Sequence, residues 1–323
     1  MSEFYRGKRV LITGGAGFIG SNLAIRLVES GARVQLVDSM LPDYGANLLN
    51  LEPIRDRVRL NFSDVRDAHS LAYVVQDEDL IFSLAGQVSH LASMQDPFTD
   101  LEINCRSQLS LLESCRRNNP GARIVFASTR QLYGRPRYLP VDEEHPLTPV
   151  DVNGINKLAA EMYYSLYYQV HGIPTVSLRL TNTYGPRMDL GSDLKGFTGI
   201  FLRKALAGET IQIYGNGEQR RDFNYVDDVL DALLLAGQSD DLLGGVFNLG
   251  HPRAYSLLEF LEVLRRYADF EYELIPFPPE AEAIDIGDYY GDFARFRAAT
   301  GWVPRVDLSE GLESTIRFFR DDG

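Results

Sequence analysis

The sequence contains few of the residues that form disulfides and metal sites. Of its 323 residues, only two are cysteine and five are histidine. Cys105 and Cys115 fall in one predicted helix, on roughly opposed faces, so they are poorly placed for a mutual disulfide. The histidines are scattered, with no HxxxH or CxxC spacing. We therefore expect two free thiols in a reducing compartment and no metal site.

Long apolar runs and an excess of basic charge are also lacking. No run approaches the roughly 18 residues of a membrane span, and the first residues, MSEFYRGKRV, contain no signal-peptide core. We expect a cytoplasmic protein with no membrane contact. Lysine and arginine number 32 against 45 aspartate and glutamate, a formal charge of -13. This balance argues against a nucleic-acid partner, because such binding depends on clustered basic residues.

Short β-branched runs alternate with longer amphipathic segments through the first 180 residues. Apolar residues recur at helical spacing over residues 17–30, 98–118 and 152–170. The alternation predicts βαβ units, and so a doubly wound α/β fold with a parallel sheet. The predicted strands are KRVLIT, RVQLVD, RVRLNF, DLIFSLA, ARIVFAS and TVSLRL.

After about residue 181 the pattern loosens into loops rich in glycine and proline. We expect a Rossmann domain over residues 1–181 and a smaller mixed α/β substrate domain over 182–323, packed closely with the ligand cleft between them. The elements predicted in the second part are the strands TIQIYG and VFNLG and helices near 197–207, 226–237, 256–267 and 309–320.

The run TGGAGFIG follows the first predicted strand directly and opens the first helix. In a dinucleotide-binding loop, Gly14 allows the sharp turn, Gly17 lets backbone N–H groups approach the pyrophosphate, and Gly20 lets helix and strand pack closely. The helix N-terminus, with Phe18 and Ile19 in its first turn, adds partial positive charge. Glycines of this kind also occur in plain turns, so the run alone is weak evidence.

An acid at the end of the second strand strengthens the prediction. Asp38 stands close to the ~20-residue offset at which an acidic residue binds the adenosine ribose hydroxyls. It would repel a 2′-phosphate, and the following Ser39 and Met40 offer no arginine, so NAD is favoured over NADP. Asp64 and Val65, just past the third strand, are expected at the adenine edge, although a solvated turn explains Asp64 nearly as well.

The chain resembles the extended short-chain dehydrogenase/reductase superfamily, specifically its nucleotide-sugar epimerases and dehydratases. The resemblance implies that a sugar carbon is oxidised by tightly held NAD to a keto sugar, which is then reduced again or altered further. Six blocks carry it nearly end to end, in the family's order and spacing: TGGAGFIG, SLAGQ at 83–87, FASTRQLYG at 126–134, LRLTNTYGP at 178–186, IYGNGEQRRDFNYVDD at 213–228 and TGWVP at 300–304.

The resemblance also implies roles for individual residues. Thr129 matches the Ser or Thr that hydrogen-bonds the reacting hydroxyl, and Lys157 matches the lysine that holds the nicotinamide ribose, although a solvated surface lysine fits its sequence position equally well. Asn182 and Arg221 match residues that hold the diphosphate or nucleoside. The remaining assignments, any of which could instead stabilise loops, are Leu84 and Ala85 at the cofactor and Gln87, Ser89, Arg130 and Gln131 near the sugar.

The chain departs from the family pattern at three places, which involve four residues. The YxxxK motif has Asn153 in place of the acid–base tyrosine, and an amide has no useful acid or base form. Arg130 and Gln131 stand where the family's dehydratases carry an Asp-Glu pair, which disfavours dehydration. A gapless count back from Tyr289 places Glu282 at the family's late phosphate-binding arginine.

Three interpretations remain open at this stage. The favoured one is an active epimerase of a nucleotide sugar that uses another proton acceptor, such as Lys157, Tyr133 or a bound water. The others are a redox-silent module that binds NAD and a sugar nucleotide, and an epimerase inactivated by replacement of its tyrosine.

The resemblance further implies a homodimer through a four-helix bundle formed by helices 98–118 and 152–170. The second of these helices carries more apolar surface than one core-facing stripe needs. The residues concerned are Met162, Tyr163, Leu166 and Tyr167.

Overall fold

The computed structural model describes residues 2–42, 44–191 and 196–321. All the strands predicted from β-branched runs are present. The strands are β1 (Arg9–Thr13), β2 (Arg33–Asp38), β3 (Val58–Phe62), β4 (Leu80–Ser83), β5 (Arg123–Thr129), β6 (Thr175–Leu180), β7 (Asn182–Tyr184), β8 (Ile211–Tyr214), β9 (Arg220–Tyr225), β10 (Val246–Asn248), β11 (Ala254–Ser256) and β12 (Tyr272–Ile275).

The helices predicted from apolar spacing are present too, and the segment 98–118 is one helical run with a π-helical turn at Glu102–Arg106. The α-helices are α1 (Ser2–Tyr5), α2 (Phe18–Glu29), α3 (Ala68–Val74), α4 (His90–Gln95), α5 (Pro97–Leu101), α6 (Ser107–Asn118), α7 (Val152–His171), α8 (Gly196–Ala207), α9 (Val226–Gln238), α10 (Leu257–Leu264), α11 (Pro279–Ala283), α12 (Ala294–Thr300) and α13 (Leu308–Asp321). In the described part of the chain, no helix is long and apolar enough to span a membrane.

A seven-stranded sheet in the order β10-β6-β5-β4-β1-β2-β3 forms the centre of the fold. Every neighbouring pair in it is parallel, and apolar side chains pack on both faces, as a doubly wound sheet requires. The strand order reverses between β1 and β4, which leaves a crevice at their carboxyl ends. This switch point is where open α/β sheets bind ligands.

The central sheet crosses the domain boundary predicted at residue 181. β10 from the second part pairs with β6, with Phe247 opposite Leu178, and α9 packs against β5 and β6. The rest of the second part forms a three-stranded mixed sheet, β11-β9-β7, and a parallel pair, β12-β8. A mixed α/β region is therefore present, but the division at 181 is too simple because the later chain returns to complete the first sheet.

The outer face of α7 is apolar, as the predicted dimer requires. Met162 is 63% exposed and Leu166 is 47% exposed, whereas Tyr163 packs partly against the core. Tyr167 does not belong to this surface: it is buried, and its hydroxyl donates to Glu113 Oε1 at 2.7 Å. The homodimer remains a prediction, now without Tyr167.

Candidate active site

A cavity of about 940 Å³ lies at the carboxyl ends of the central strands, between the main sheet and the second part of the chain. The structure brings all but one of the predicted site residues to its wall. These are Gly14, Gly17, Phe18, Ile19, Gly20, Asp38, Asp64, Val65, Leu84, Ala85, Gln87, Thr129, Arg130, Gln131, Asn153, Lys157, Asn182 and Arg221.

Ser89 is the exception. Its hydroxyl accepts from Ala92 N at 3.1 Å and caps the start of α4, and the side chain is buried outside the cavity wall formed by the described residues. The sugar contact predicted for Ser89 is thus replaced by a helix-capping role, because a serine before a first helical turn satisfies a free N–H of that turn.

The glycine loop has the shape that a dinucleotide requires. At Gly14, with φ +70°, a Cβ would lie 3.0 Å from Cα of Ala85, and at Gly20 it would lie 2.1 Å from the carbonyl oxygen of Gly14. At Gly17 the nearest atom would be 3.4 Å away, so this residue leaves open space toward the cavity. Within the described chain, no side chain caps the N-terminus of α2. Its first N–H groups are available to a pyrophosphate.

Asp38 lies at the cavity end of β2 and anchors this loop. Its Oδ2 accepts from Ala16 N at 3.0 Å, and its Oδ1 accepts from Met40 N at 3.1 Å. Burial raises the pKa of Asp38, and these backbone N–H groups oppose the rise. Each carboxylate oxygen keeps a free lone pair, so Asp38 can also accept from ribose hydroxyls.

Asp64 is held in place by a neighbouring arginine. Arg66 donates to it through Nη2 at 2.6 Å and Nε at 3.0 Å. Burial pushes the pKa of Asp64 upward, but the hydrogen bonds and charge of Arg66 outweigh burial and lower it. Asp64 is therefore a paired carboxylate at the cavity wall rather than a freely solvated turn acid.

Thr13 holds the residues that follow β4 next to the glycine loop. Its Oγ1 accepts from the backbone N–H groups of Leu84 and Ala85, both at 3.2 Å. This places the end of β4 beside the glycine loop, where the sequence predicted cofactor contacts.

Lys157 is buried, which excludes the solvated surface lysine considered from the sequence. Its Nζ donates to Ala127 O at 3.2 Å and lies 5.0 Å from the centre of the Phe126 ring. Burial lowers the pKa of Lys157 to about 8, with the nearby carboxylate of Asp100 opposing this shift. Ala127, Thr129 and Lys157 all line the cavity, so the amine of Lys157 lies beside the strand that carries Thr129.

Asn153 is tied into a buried network around Asp100. Its Nδ2 donates to Gln87 O at 2.8 Å and to Asp100 Oδ2 at 3.1 Å. Asp100 is fully buried and also accepts from Nδ2 of Asn104 at 3.0 Å and from Nδ2 of Asn156 at 2.8 Å. Carbonyl and carboxylate oxygens can only accept, so the Asn153 amide has one sensible orientation. Its NH₂ points inward, and Oδ1 is left as an acceptor at the cavity wall.

Tyr133 cannot be the alternative proton acceptor. It is fully buried, donates to Asn248 Oδ1 at 2.7 Å, accepts from Arg179, and stands outside the cavity wall formed by the described residues. Burial raises the pKa of Tyr133 to about 12.

Arg221, on β9, lines the same cavity as the glycine loop. It is buried and donates to the carbonyl oxygens of Arg220, at 2.9 Å, and Gly287. Its Nη2 lies 3.6 Å from Asp285. Burial lowers the pKa of Arg221 to about 10, and the neighbouring charge of Arg130 adds to this effect. A guanidinium held beside a second one is well suited to an anionic ligand.

The segment after α11 corrects the count that placed Glu282 at the phosphate site. Glu282 is exposed and outside the cavity wall formed by the described residues, whereas Asp285 lines the cavity opposite Arg221. The gapless count failed because the path of the loop between α11 and Tyr289 cannot be read from residue numbers alone. Nearby, Arg130 donates to Asn182 Oδ1 at 3.0 Å and lies over the Tyr289 ring.

Sequence reasoning missed two sets of residues. Asp100, Asn104 and Asn156 are polar residues on helix faces that the fold buries, and this polarity was their only signal. His90 also lines the cavity, with Nδ1 2.9 Å from Oδ2 of Asp151. A lone histidine whose partner is distant in sequence leaves no pattern to detect.

The comparisons with known proteins agree with this geometry. The model of the NAD dependent epimerase/dehydratase family matches residues 10–250. A putative UDP-glucose 4-epimerase of Methanocaldococcus jannaschii is 32% identical over 317 residues, which cover 97% of this chain and 99% of the relative.

Solved structures are similar over the whole chain. A UDP-glucose 4-epimerase of Thermus thermophilus in complex with NAD has a TM-score of 0.86 at 32% identity, covering 98% of this chain and 100% of that one. A UDP-glucuronic acid 4-epimerase of Bacillus cereus, in complex with UDP-glucuronic acid and NAD, has a TM-score of 0.86 at 25% identity with the same coverage. These findings confirm the predicted fold, family and cofactor, and the chain belongs to the NAD-dependent epimerase/dehydratase family.

Proposed function

We propose that the protein is an NAD-dependent epimerase of a nucleotide-activated sugar, working through a transient keto sugar. One observation carries the proposal: the glycine loop around Gly17, the pair Thr129 and Lys157, and Arg221 all line a single cavity. A cofactor and an anionic sugar nucleotide can therefore meet at one reacting centre.

The cavity wall supplies a distinct group for each part of the two ligands. NAD, when bound, takes a hydride from a sugar carbon and returns it. The N–H groups at the start of α2 hold the pyrophosphate, Asp38 the adenosine ribose, and Lys157 the nicotinamide ribose. At the substrate, Thr129 binds the reacting hydroxyl, and Arg221, with Asn182, binds the diphosphate.

Two residues next to Thr129 favour epimerisation over dehydration. Removal of water from the sugar needs an acid and a base beside the ring in addition to the redox step. Arg130 stays charged, and the amide of Gln131 has neither an acid nor a base form. Its Nε2 is in any case occupied by Asp151 at 2.7 Å.

Asn153 favours a second candidate, a redox-silent module that binds both ligands. Its Oδ1 can accept a hydrogen bond from a sugar hydroxyl but cannot take the proton. If the protein is instead an epimerase in which Asn153 replaces the family's acid–base tyrosine, Asn153→Tyr should raise turnover by about 10²- to 10⁴-fold, the usual contribution of a positioned acid–base group.

The decisive experiment exposes the NAD-loaded protein to UDP- and dTDP-linked sugars. Thermal shift in the presence of NAD identifies which ones bind, since a ligand of the native state raises its stability. Product analysis by NMR and the absorbance of NADH then follow the chemistry. We expect an epimer with no net consumption of NAD. Binding without epimer or NADH, for every sugar that binds, would instead support the module.

A further inference from the structure

His90, in the wall of the cavity, lies directly beside the buried carboxylate of Asp151. His90 begins α4, and Asp151 is the N-cap of α7. Nδ1 of His90 lies 2.9 Å from Oδ2 of Asp151. The Asp151 side chain is fully buried, whereas that of His90 is 35% exposed and lines the cavity. The pair has the layout of a histidine oriented by a carboxylate behind it.

Asp151 is rigidly placed. Its Oδ1 accepts from Gly154 N at 2.6 Å, and its Oδ2 accepts from Gln131 Nε2 at 2.7 Å. Burial acts to raise the pKa of Asp151, but His90 and these hydrogen bonds together lower it. A proton on Nδ1 of His90 would face this carboxylate at 2.9 Å. Nε2 is then the nitrogen free to exchange a proton; it makes no hydrogen bond within the described residues.

Two short chains of contacts link the pair to the reacting centre. Gln131, which donates to Asp151, also donates its backbone N–H to Thr129 Oγ1 at 3.2 Å. On the other side, Ser93 donates to His90 O at 2.7 Å and accepts from Asn153 N at 3.2 Å. His90 is thus linked through Asp151 and Gln131 to Thr129, which binds the reacting hydroxyl in the proposed function, and through its main chain to that of Asn153.

We propose that His90 is the general acid–base group of the reaction and that Asp151 is its positioning residue. This inference rests on the proposed function. NAD, when bound, would supply the hydride acceptor: the sugar C–H hydrogen would leave with its two electrons, the O–H proton would pass to Nε2 of His90, and the carbon would become a carbonyl. In the return step the same hydride would reduce the carbonyl from its other face and Nε2 would give the proton back. The two steps balance without an outside oxidant or reductant.

His90 suits this task better than Lys157. Nζ of Lys157 is bonded to Ala127 O and is assigned to the nicotinamide ribose. A histidine changes charge near neutral pH, with an ordinary pKa of about 6.5. Of the charged groups near His90, the structure places Asp151 at 2.9 Å, and Arg130 and Lys157 line the same cavity.

The test compares wild type with His90→Gln and Asp151→Asn, using His69→Gln, an exposed histidine elsewhere, as the matched control. His90→Gln should lower kcat about 10²- to 10⁴-fold on an accepted sugar, the usual contribution of general acid–base catalysis. Its affinity for that sugar, measured by calorimetry, should change only a few-fold. His69→Gln should match wild type in both respects.

A second readout does not depend on turnover. NMR titration of the ring protons, assigned by the signal missing in His90→Gln, gives the pKa of His90 directly. In Asp151→Asn the group facing Nδ1 is changed, and the acidic limb of the pH–rate profile should move together with the His90 titration.

The proposal is overturned if His90→Gln keeps kcat within a few-fold of wild type, or if the limb of the profile stays fixed while the His90 titration moves. Either result is compatible with the proposed epimerase, but it means that another residue is the acid–base group. A wild-type protein that binds sugar nucleotides but never turns them over overturns both ideas together.

Discussion

The side chain of Asn153, on α7, donates to Oδ2 of Asp100, on α5, at 3.1 Å. Asp100 is fully buried, and three asparagine amides satisfy its carboxylate. A buried charge that loses a donor is costly. Asn153 is therefore integrated into the fold as well as lining the cavity.

Asn153→Ala should lower the free energy of unfolding by about 1–3 kcal/mol, because it leaves buried acceptors on Asp100 and Gln87 short of a partner. Asn156→Ala removes another donor to Asp100 and should cost a similar amount. Ile155→Ala, at a 54% exposed position between them, should change stability little. Urea unfolding of the three variants measures this. Equal, small effects at all three positions would show that the amide network does not hold Asp100.

The lowered pKa of Lys157 predicts a pH dependence of stability. The pKa falls from 10.5 to about 8 in the folded protein. Between these values the unfolded chain binds a proton that the folded chain has released, so wild type should gain stability as the pH rises from 8 to 10.5. Lys157→Met lacks this gain. Urea unfolding of both proteins at neutral pH and near pH 10 isolates the effect, and identical pH dependence in the two would contradict the burial of a neutral amine.

Much of the fold and of the cofactor half of the site follows from local sequence. The glycine loop, Asp38 and the alternation of strands and helices are set by residues close together in the sequence, so the sequence alone reveals them. A contact between residues far apart in the sequence leaves no such local pattern. Nothing near His90 indicates that Asp151 lies 2.9 Å away, and nothing near Tyr133 shows that Arg179 and Asn248 bury its hydroxyl. Counting residues across the loop before Tyr289 predicted that Glu282 lies at the phosphate site, whereas the structure places Asp285 beside Arg221.

Cofactor choice should depend on Asp38. Asp38→Ala combined with Ser39→Arg removes the acid and supplies a partner for a 2′-phosphate, so the ratio of NADP to NAD affinity should rise. NAD affinity should also fall, because Asp38 anchors the N–H of Ala16. Calorimetry with both cofactors measures the ratio. Asp64→Ala, at a carboxylate already paired with Arg66, is the control and should leave the ratio unchanged. An unchanged ratio in the double variant would remove the ribose contact assigned to Asp38.

The predicted homodimer should depend on the outer face of α7. Met162→Glu with Leu166→Glu places two charges on a surface that a dimer would bury, and the protein should become monomeric by light scattering at micromolar concentration. Leu274→Glu, at a 50% exposed residue of β12, is the matched control and should leave the mass unchanged. A wild-type protein that is already monomeric would end this prediction.

Two adjacent arginines allow a sharp test of substrate recognition. Arg221 is buried at the cavity wall, while the side chain of Arg220 is 43% exposed and pairs with Glu259 at 3.2 Å. Arg221→Ala should weaken binding of an accepted sugar nucleotide by about 2 kcal/mol, roughly 30-fold, because a charge-assisted contact to phosphate is lost. Arg220→Ala removes the same charge one residue away and should have little effect.

The comparison with NAD completes this test of Arg221. In the proposed function NAD is held by the glycine loop and Asp38 while Arg221 binds the other ligand, so calorimetry should show unchanged NAD affinity in Arg221→Ala. If instead both ligands weaken equally, Arg221 serves the fold through its bonds to Gly287 and Asp285, and the diphosphate must bind elsewhere along the wall. Arg221→Lys separates charge from shape: a lysine keeps the charge but lacks the planar fork, so it should recover only part of the lost affinity.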